Sequence, residues 1–289
     1  MTPSSSSPLH GRRARSPGKL VLAGEYAVLD GAPAVVLAID RGVECFVERG
    51  SGIITPDGDT RFVELAIRGL SETALFRFQA WNPVGLPSGE KPGFGGSAAA
   101  CVAACIAAGR DPEEARTIHR TVQGSGSGID VAASMNGGML WLQGRSSRSL
   151  QPIVPTVVWS GSSARTGPRV ERYLEWSGRT GFVHATAELV QEFTHDPVGV
   201  TRALFRLLST MAIQSGVEYL TPRLERICSL AESYGGAAKP SGAGGGDCAV
   251  AFFPSRESEE GFQQQCRREG FPIIEVNPSP GAWLEEGGA

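Results

Sequence analysis

Three short stretches set a lysine beside a glycine-bearing turn: SPGKL at Lys19, EKPGFGGSAAA at Lys91 and AKPSGAGGGDC at Lys239. Lysine occurs at these positions only, and the rest of the 27 basic residues are arginine. Codon bias toward arginine accounts for the scarcity but not for the placement. A compact ammonium beside backbone N–H groups that glycine leaves bare is what a phosphate site needs. A fourth stretch, GSGSGIDVAAS, puts Asp130 just after a glycine-serine turn. There an aspartate either complements a helix dipole or serves as a catalytic carboxylate. A kinase must hold a triphosphate, neutralise its charge and place an acceptor beside a carboxylate. Three glycine loops, three lysines and Asp130 match that requirement.

The elements around these stretches decide what each can do. Residues 97–108 read as an Ala-rich helix, with Ser97 as its cap and Gly109 as its end. Gly93, Gly95 and Gly96 then bare the N–H groups in front of a helix N-terminus, which makes an anion cradle. The plainer reading is a flexible loop before a packing helix. GFGGSA fits the dinucleotide pattern G-x-G-x-x-A, but a Pro/Gly loop rather than a strand precedes it. The chain contains no G-x-x-x-x-G-K-[ST]. In the third segment the glycines lead into a strand instead of a helix.

Residues 19–81 read as mostly strand, RFVELAI included, and residues 111–123 as a helix opened by Asp-Pro. Past residue 154 come a strand, then helices near 168–176, 186–193, 198–215 and 222–234. A strand, a helix at 258–270 and a last strand at 271–276 follow. This pattern predicts two α+β halves meeting near residues 150–160. We divide the chain into a disordered leader at 1–15, an N-terminal ATP-binding domain at 16–155, a C-terminal domain at 156–277 and a loose tail at 278–289.

Net charge is −3 and charged residues make up 20%. Nucleic acid and anionic membrane are therefore not expected as partners. No apolar run reaches the length of a membrane span. The six cysteines are scattered and make no C-x-x-C, and the four histidines make no H-E-x-x-H. Reduced thiols, a cytoplasmic location and no zinc site are the expectation.

Taken in order, PGKLVLAGEYAVLDGAPAV, KPGFGGSAAA and KPSGAGGGDC resemble the three motifs of the GHMP small-molecule kinases, from Ser16 to Phe253. Within that family the branch acting on 5-phosphomevalonate is the most similar, through GEYAVL, HRTVQGSGSGIDVAAS and VVWSGSSART. The resemblance implies the two-domain α+β GHMP kinase fold. Its N-terminal domain would be ribosomal S5 domain 2-like and its C-terminal domain ferredoxin-like, with a cleft between. It implies transfer of the ATP γ-phosphate to 5-phosphomevalonate, with Mg²⁺. The alternatives are an alcohol acceptor such as mevalonate, or a non-catalytic nucleotide-binding relative. A small molecule is thus the expected partner, and a homodimer is left open.

The resemblance also carries residue roles. Lys19 and Asp130 match the catalytic positions. Lys91, Pro92, Gly93, Phe94, Gly95, Gly96, Ser97 and Ala98 match the ATP phosphate loop, with Ser97 the magnesium-associated hydroxyl. Lys19, Ser127, Gly128, Arg165, Lys239, Ser241, Gly242, Ala243, Gly244 and Asp247 match the substrate end. The metal carboxylate stays open among Glu25, Glu113 and Glu114, with Gln123 able to hold a metal-bound water instead. Gly96 stands where the family usually has serine, and so does Arg165 in its branch.

Overall fold

The computed structural model describes residues 9–70, 73–87, 89–124 and 126–285. Two antiparallel-rich sheets carry the fold. The first is built on two long neighbours, β1 (Arg13–Ala23) and β2 (Ala34–Glu48). Between them the chain turns through Glu25 and a single 3-10 turn, Ala27–Asp30. The far half of β2 pairs through Gly42–Glu48 with β4 (Leu75–Trp81), which carries β3 (Gly52–Ile54) at its edge. The near half of β2 pairs with β5 (Met139–Gln143), and β5 pairs with β6 (Ser146–Leu150).

One face of this sheet is covered by α1 (Arg61–Ile67), α2 (Gly96–Ala107), α3 (Glu114–Gln123) and α4 (Ile129–Asn136). The alanines and cysteines of α2 are small enough to bring its axis close to β1 and β2. Its buried face includes Ala98, Cys101, Val102 and Cys105, all 0% exposed. All six cysteines are free and buried.

The second sheet begins with β7 (Thr156–Trp159). Four helices follow: α5 (Thr166–Glu175), α6 (Arg179–Glu192), α7 (Pro197–Ser215) and α8 (Pro222–Ser233). The helices α7 and α8 start on Asp196 and Thr221, whose side chains accept from Gly199 N and Leu224 N, with proline in the first turn. Next come β8 (Ala237–Pro240), β9 (Cys248–Phe252), α9 (Arg256–Arg268) and β10 (Ile273–Ile274). The strand order β10-β7-β9-β8 is the ferredoxin-like one expected for this half.

Four expectations are corrected. RFVELAI is the helix α1: Val63 and Ala66 are buried three residues apart, which is a helical rather than an alternating period. Residues 1–8 of the expected leader lie outside the described residues. Leu9 is buried, however, and β1 begins at Arg13, paired to Phe46. Residues 278–285 of the expected tail are not loose either, and residues 286–289 lie outside the described residues. Pro278 and Pro280 bridge to Ile39 and Gly137, and β11 (Trp283–Glu285) pairs with Arg13 to Arg15 on the outer edge of β1. Finally, Ser97 is not the cap of α2. Gly95 holds that position with φ 74°, a left-handed conformation that glycine adopts without strain.

Among the described residues, no helix is long and apolar enough to cross a membrane.

Candidate active site

The three lysine-glycine segments lie far apart in sequence, and Lys19 is where they meet. A bulge in the β1–β2 pairing falls between Pro17 and Gly18. A Cβ on Gly18 would sit 2.6 Å from the carbonyls of Arg41 and Phe94. Glycine there lets the second loop press onto β1, and Lys19 N donates to Phe94 O at 2.8 Å. The Lys19 side chain then runs under Gly95, where a Cβ would lie 3.2 Å from its Cε and 3.4 Å from Asp130 Oδ2. Its Nζ stops 3.7 Å from Asp130 Oδ1 and 3.9 Å from where a Cβ on Gly242 would be. Lys19 is 7% exposed, so its ammonium lies in the floor of a cleft rather than in bulk water.

Asp130 sits in the first turn of α4 behind Gly128, which is left-handed at φ 73°. Its side chain keeps 35% of its surface open. At the facing helix, the first α2 amides bonded back toward Gly95 are those of Ala98 and Ala99. Helix geometry gives the N–H groups of Gly96 and Ser97 no acceptor within the helix. They lie at the positive end of the α2 dipole. Gly96 is exposed, and a Cβ there would meet nothing within 4 Å.

The third segment is a hairpin turn between β8 and β9. Asp247 is half-buried, with φ 57°, and lies against Gly93, where a Cβ would come 2.5 Å from its carboxyl. Burial raises the Asp247 pKa above the usual aspartate value, against the pull of the Ala164 N–H and of the Lys19 and Arg169 charges. Ala164 N donates to Asp247 Oδ1 at 2.9 Å, and Asp247 N donates to Ser162 O at 2.8 Å. The turn is thereby tied to residues 160–166, which also bond through Ser163 to Glu90 and Lys91. Thr166, at the start of α5, faces the cleft with Gly242, Ala243, Ser127 and Gly128. Deeper in, the wall is largely apolar, formed by Val21, Val28, Leu29, Ile129 and Val170, with Glu25 and Tyr26 among them. Tyr26 makes a positive-φ γ-turn, φ 61° and ψ −53°, closed by Ala27 N to Glu25 O at 2.6 Å. Its hydroxyl donates to Ala243 O at 2.6 Å, so the first motif grips the third.

Several expected residues stand elsewhere. Lys239 is 0% exposed and forms an ion pair with Glu25 across the two sheets. Burial pushes its pKa down while Glu25 holds it up. It is a buried tie and does not open into the cleft. Ser241 is also structural in its contacts: its hydroxyl accepts from Val21 N at 2.9 Å and reaches Val21 O at 3.3 Å. Lys91 is at the surface, paired at 2.6 Å with Asp57. Arg165 is exposed, and its carbonyl accepts from Arg169 Nη1 at 2.7 Å. Glu113 and Glu114 pair with Arg116 and Arg110 on exposed flanks of α3. That leaves Asp130 as the open carboxylate beside the glycine loop at 93–96, and among the described residues no group of three or more His, Cys, Asp and Glu clusters as a metal cage.

Sequence reasoning missed His119 and Arg169. His119 lines the cleft with Gln123, four residues on and so on the same face of α3. That spacing in HRTVQ is the signal that points to it. Arg169 packs against Gly245, one turn into α5, and no local pattern marks it. The groove between α6 and α7, lined by Leu189, Leu207, Glu188 and Arg206, is larger but wide open and lacks any such convergence.

Residues 183–272 match the family model described as GHMP kinases C terminal. The chain is 28% identical to a phosphomevalonate kinase from Streptomyces sp. (strain CL190), over 92% of this chain and 96% of that protein. It is 26% identical to a mevalonate kinase from Aeropyrum pernix, over 95% and 98%. The solved Streptococcus pneumoniae phosphomevalonate kinase in complex with phosphomevalonate and AMPPNP superposes with a TM-score of 0.75 at 18% identity, covering 92% of this chain and 99% of that one.

Proposed function

Because the chain belongs to the GHMP kinase superfamily, we propose that it transfers the terminal phosphoryl group of ATP to 5-phosphomevalonate, giving 5-diphosphomevalonate and ADP. The observation that carries this reading is the convergence of all three glycine loops on the Lys19 ammonium beside Asp130. The bared amides of Gly96 and Ser97 take the ATP phosphates at the α2 N-terminus. An oxygen of the acceptor phosphate attacks the γ-phosphorus. The bond from that phosphorus to the β–γ bridging oxygen breaks, and its electron pair leaves with ADP. Lys19 offsets the negative charge that two phosphates bring together, the largest demand of such a transfer.

The donors at hand fit magnesium. Ser97 Oγ and the Asp130 carboxylate are hard oxygen ligands, too few for a protein cage but suited to an ion that keeps waters and phosphate oxygens. When bound, the ion would neutralise phosphate charge. A phosphate monoester has its second pKa near about 6, so the acceptor is already largely ionised. Asp130 then needs only to orient Lys19 and the acceptor. The positive end of α5, which Thr166 opens at the cleft, supports a charged acceptor.

A second reading has one observation in its favour. The Asp130 carboxylate is open to the cleft beside Lys19, where it can take the proton of an alcohol such as mevalonate. ADP release measured with 5-phosphomevalonate, with mevalonate and with no acceptor separates the two. We expect turnover with 5-phosphomevalonate. Faster turnover with mevalonate selects the second reading, and nucleotide binding without turnover on either overturns both.

A further inference from the structure

His119 is a buried side chain of the cleft to which phosphoryl transfer gives no role. It is 6% exposed and stacks on Phe62, ring centroids 4.9 Å apart. Its Nε2 lies 3.3 Å from Ser97 Oγ. The stack and the burial fix the ring, so the direction in which it meets the hydroxyl is fixed too. A serine hydroxyl has one proton and two lone pairs, and its rotor turns to suit its neighbours. The placement of that proton decides what Ser97 presents at the mouth of α2. A proton turned outward donates to a phosphate oxygen. A proton turned inward leaves the lone pairs outward, for a cation.

We infer that His119 is a positioning residue, accepting the Ser97 hydroxyl proton on Nε2 and so turning the oxygen lone pairs toward a magnesium-bound nucleotide. The inference rests on the reading of Ser97 as the phosphate-loop hydroxyl. Nothing in the role requires His119 to touch nucleotide or acceptor. It acts by setting what Ser97 prefers to bind: magnesium–nucleotide over nucleotide alone.

The test is ADP binding by calorimetry, with magnesium and with a chelator, on five forms of the full chain: wild type, His119→Phe, His119→Gln, Ser97→Ala and the Ser97→Ala, His119→Phe double variant. Wild type should bind ADP more tightly with magnesium. His119→Phe keeps an aromatic ring on Phe62 and removes the acceptor. It should lose about 10–100-fold of the magnesium-dependent gain, the range for partners that orient a metal ligand, and leave metal-free ADP affinity no weaker, since the freed hydroxyl proton can turn to a phosphate oxygen. His119→Gln restores an acceptor and should recover most of the gain. In a Ser97→Ala background, His119→Phe should change nothing further. An unchanged magnesium gain, or an equal loss with and without magnesium, overturns the inference while leaving the nucleotide site standing. Failure of wild type to bind ADP at all overturns the nucleotide reading and this inference with it. Nitrogen NMR of wild-type His119 decides even where a variant fails to fold: Nε2 must resonate as the unprotonated ring nitrogen, and a protonated Nε2 overturns the proposal.

Discussion

Lys19 and the glycine above it divide the work of the site between charge and space. Lys19→Ala should lower kcat by about 10²–10³-fold, the range seen when one transition-state charge contact is deleted. Lys19→Arg should not restore it, because a planar guanidinium does not fit beneath Gly95. Turnover near normal in either variant would remove Lys19 from the reaction. Two neighbouring glycines make a sharper pair. Gly95 has φ 74°, and a Cβ there would press on Lys19 and Asp130. Gly95→Ala should therefore cost activity. Gly96 has open space around it, so Gly96→Ser should fold with equal or higher thermal stability, since glycine is the poorer helix former by about 0.5 kcal/mol. Comparing melting temperature and the KM for ATP in both variants checks this. Lysine beside glycine singled out both Lys19, which the fold sets in the floor of a cleft, and Lys239, which it buries in a seam. The flanking residues are alike, but a strand sends alternate side chains to opposite faces. Only the fold decides which face is a cleft and which is a seam.

Elements explain what Lys239 does instead. The strand β8 lies at the edge of the second sheet, and its side chains, with Ser241 just after it, supply bonds to Val21 of β1. Lys239 and Glu25 complete that seam. Lys239→Met strands a buried carboxylate and should cost about 3–5 kcal/mol in urea denaturation. Adding Glu25→Leu should recover most of it, as expected when both halves of a buried pair are replaced. A Lys239→Met protein of full stability but lost turnover would return Lys239 to the phosphate site. On the outer face of the first sheet, Glu44 lies under Arg13 and Arg15. Burial raises its pKa, but hydrogen bonds from Gln79, Arg13 and Arg15 outweigh that and hold it below the ordinary 4.5. A folded-state pKa below the unfolded one stabilises the fold above the ordinary carboxylate range. That stability is lost as pH falls through the depressed value. Glu44→Gln should flatten the acid limb of a stability–pH curve, and an unchanged limb would rule the cluster out. Strands and helices with a clear period were legible from sequence. RFVELAI was not, because seven mostly apolar residues fit either period.

At the scale of the whole molecule, the chain crosses from the first sheet to the second once, after β6, and then returns. Residues past 277 look like a loose tail because Pro, Gly and Glu dominate them, yet residues 278–285 are built into the first sheet. Gly281 fits against Met135 O, and a Cβ on Gly137 would lie 2.0 Å from Gly281 N. Ala282 N donates to Ser134 O at 2.9 Å. These contacts clamp the C-terminal end of α4, the helix whose first turn carries Asp130. Beyond them Trp283 meets Trp81 edge to face at 5.2 Å, and Glu285 reaches Arg15 at 2.6 Å. No composition rule finds such a clasp, since its partners are more than a hundred residues away. Ending the chain at Asn277 should therefore do more than fray an edge. It frees the outer side of β1 and the far end of α4 together, so both urea stability and kcat should fall. The aromatic pair alone accounts for about 0.5–1.5 kcal/mol of the stability. Magnesium–ADP at about 100-fold above its Kd should return about 2.7 kcal/mol by mass action if the cleft still forms. A truncated protein with wild-type urea midpoint and turnover would show that the clasp holds nothing the site depends on.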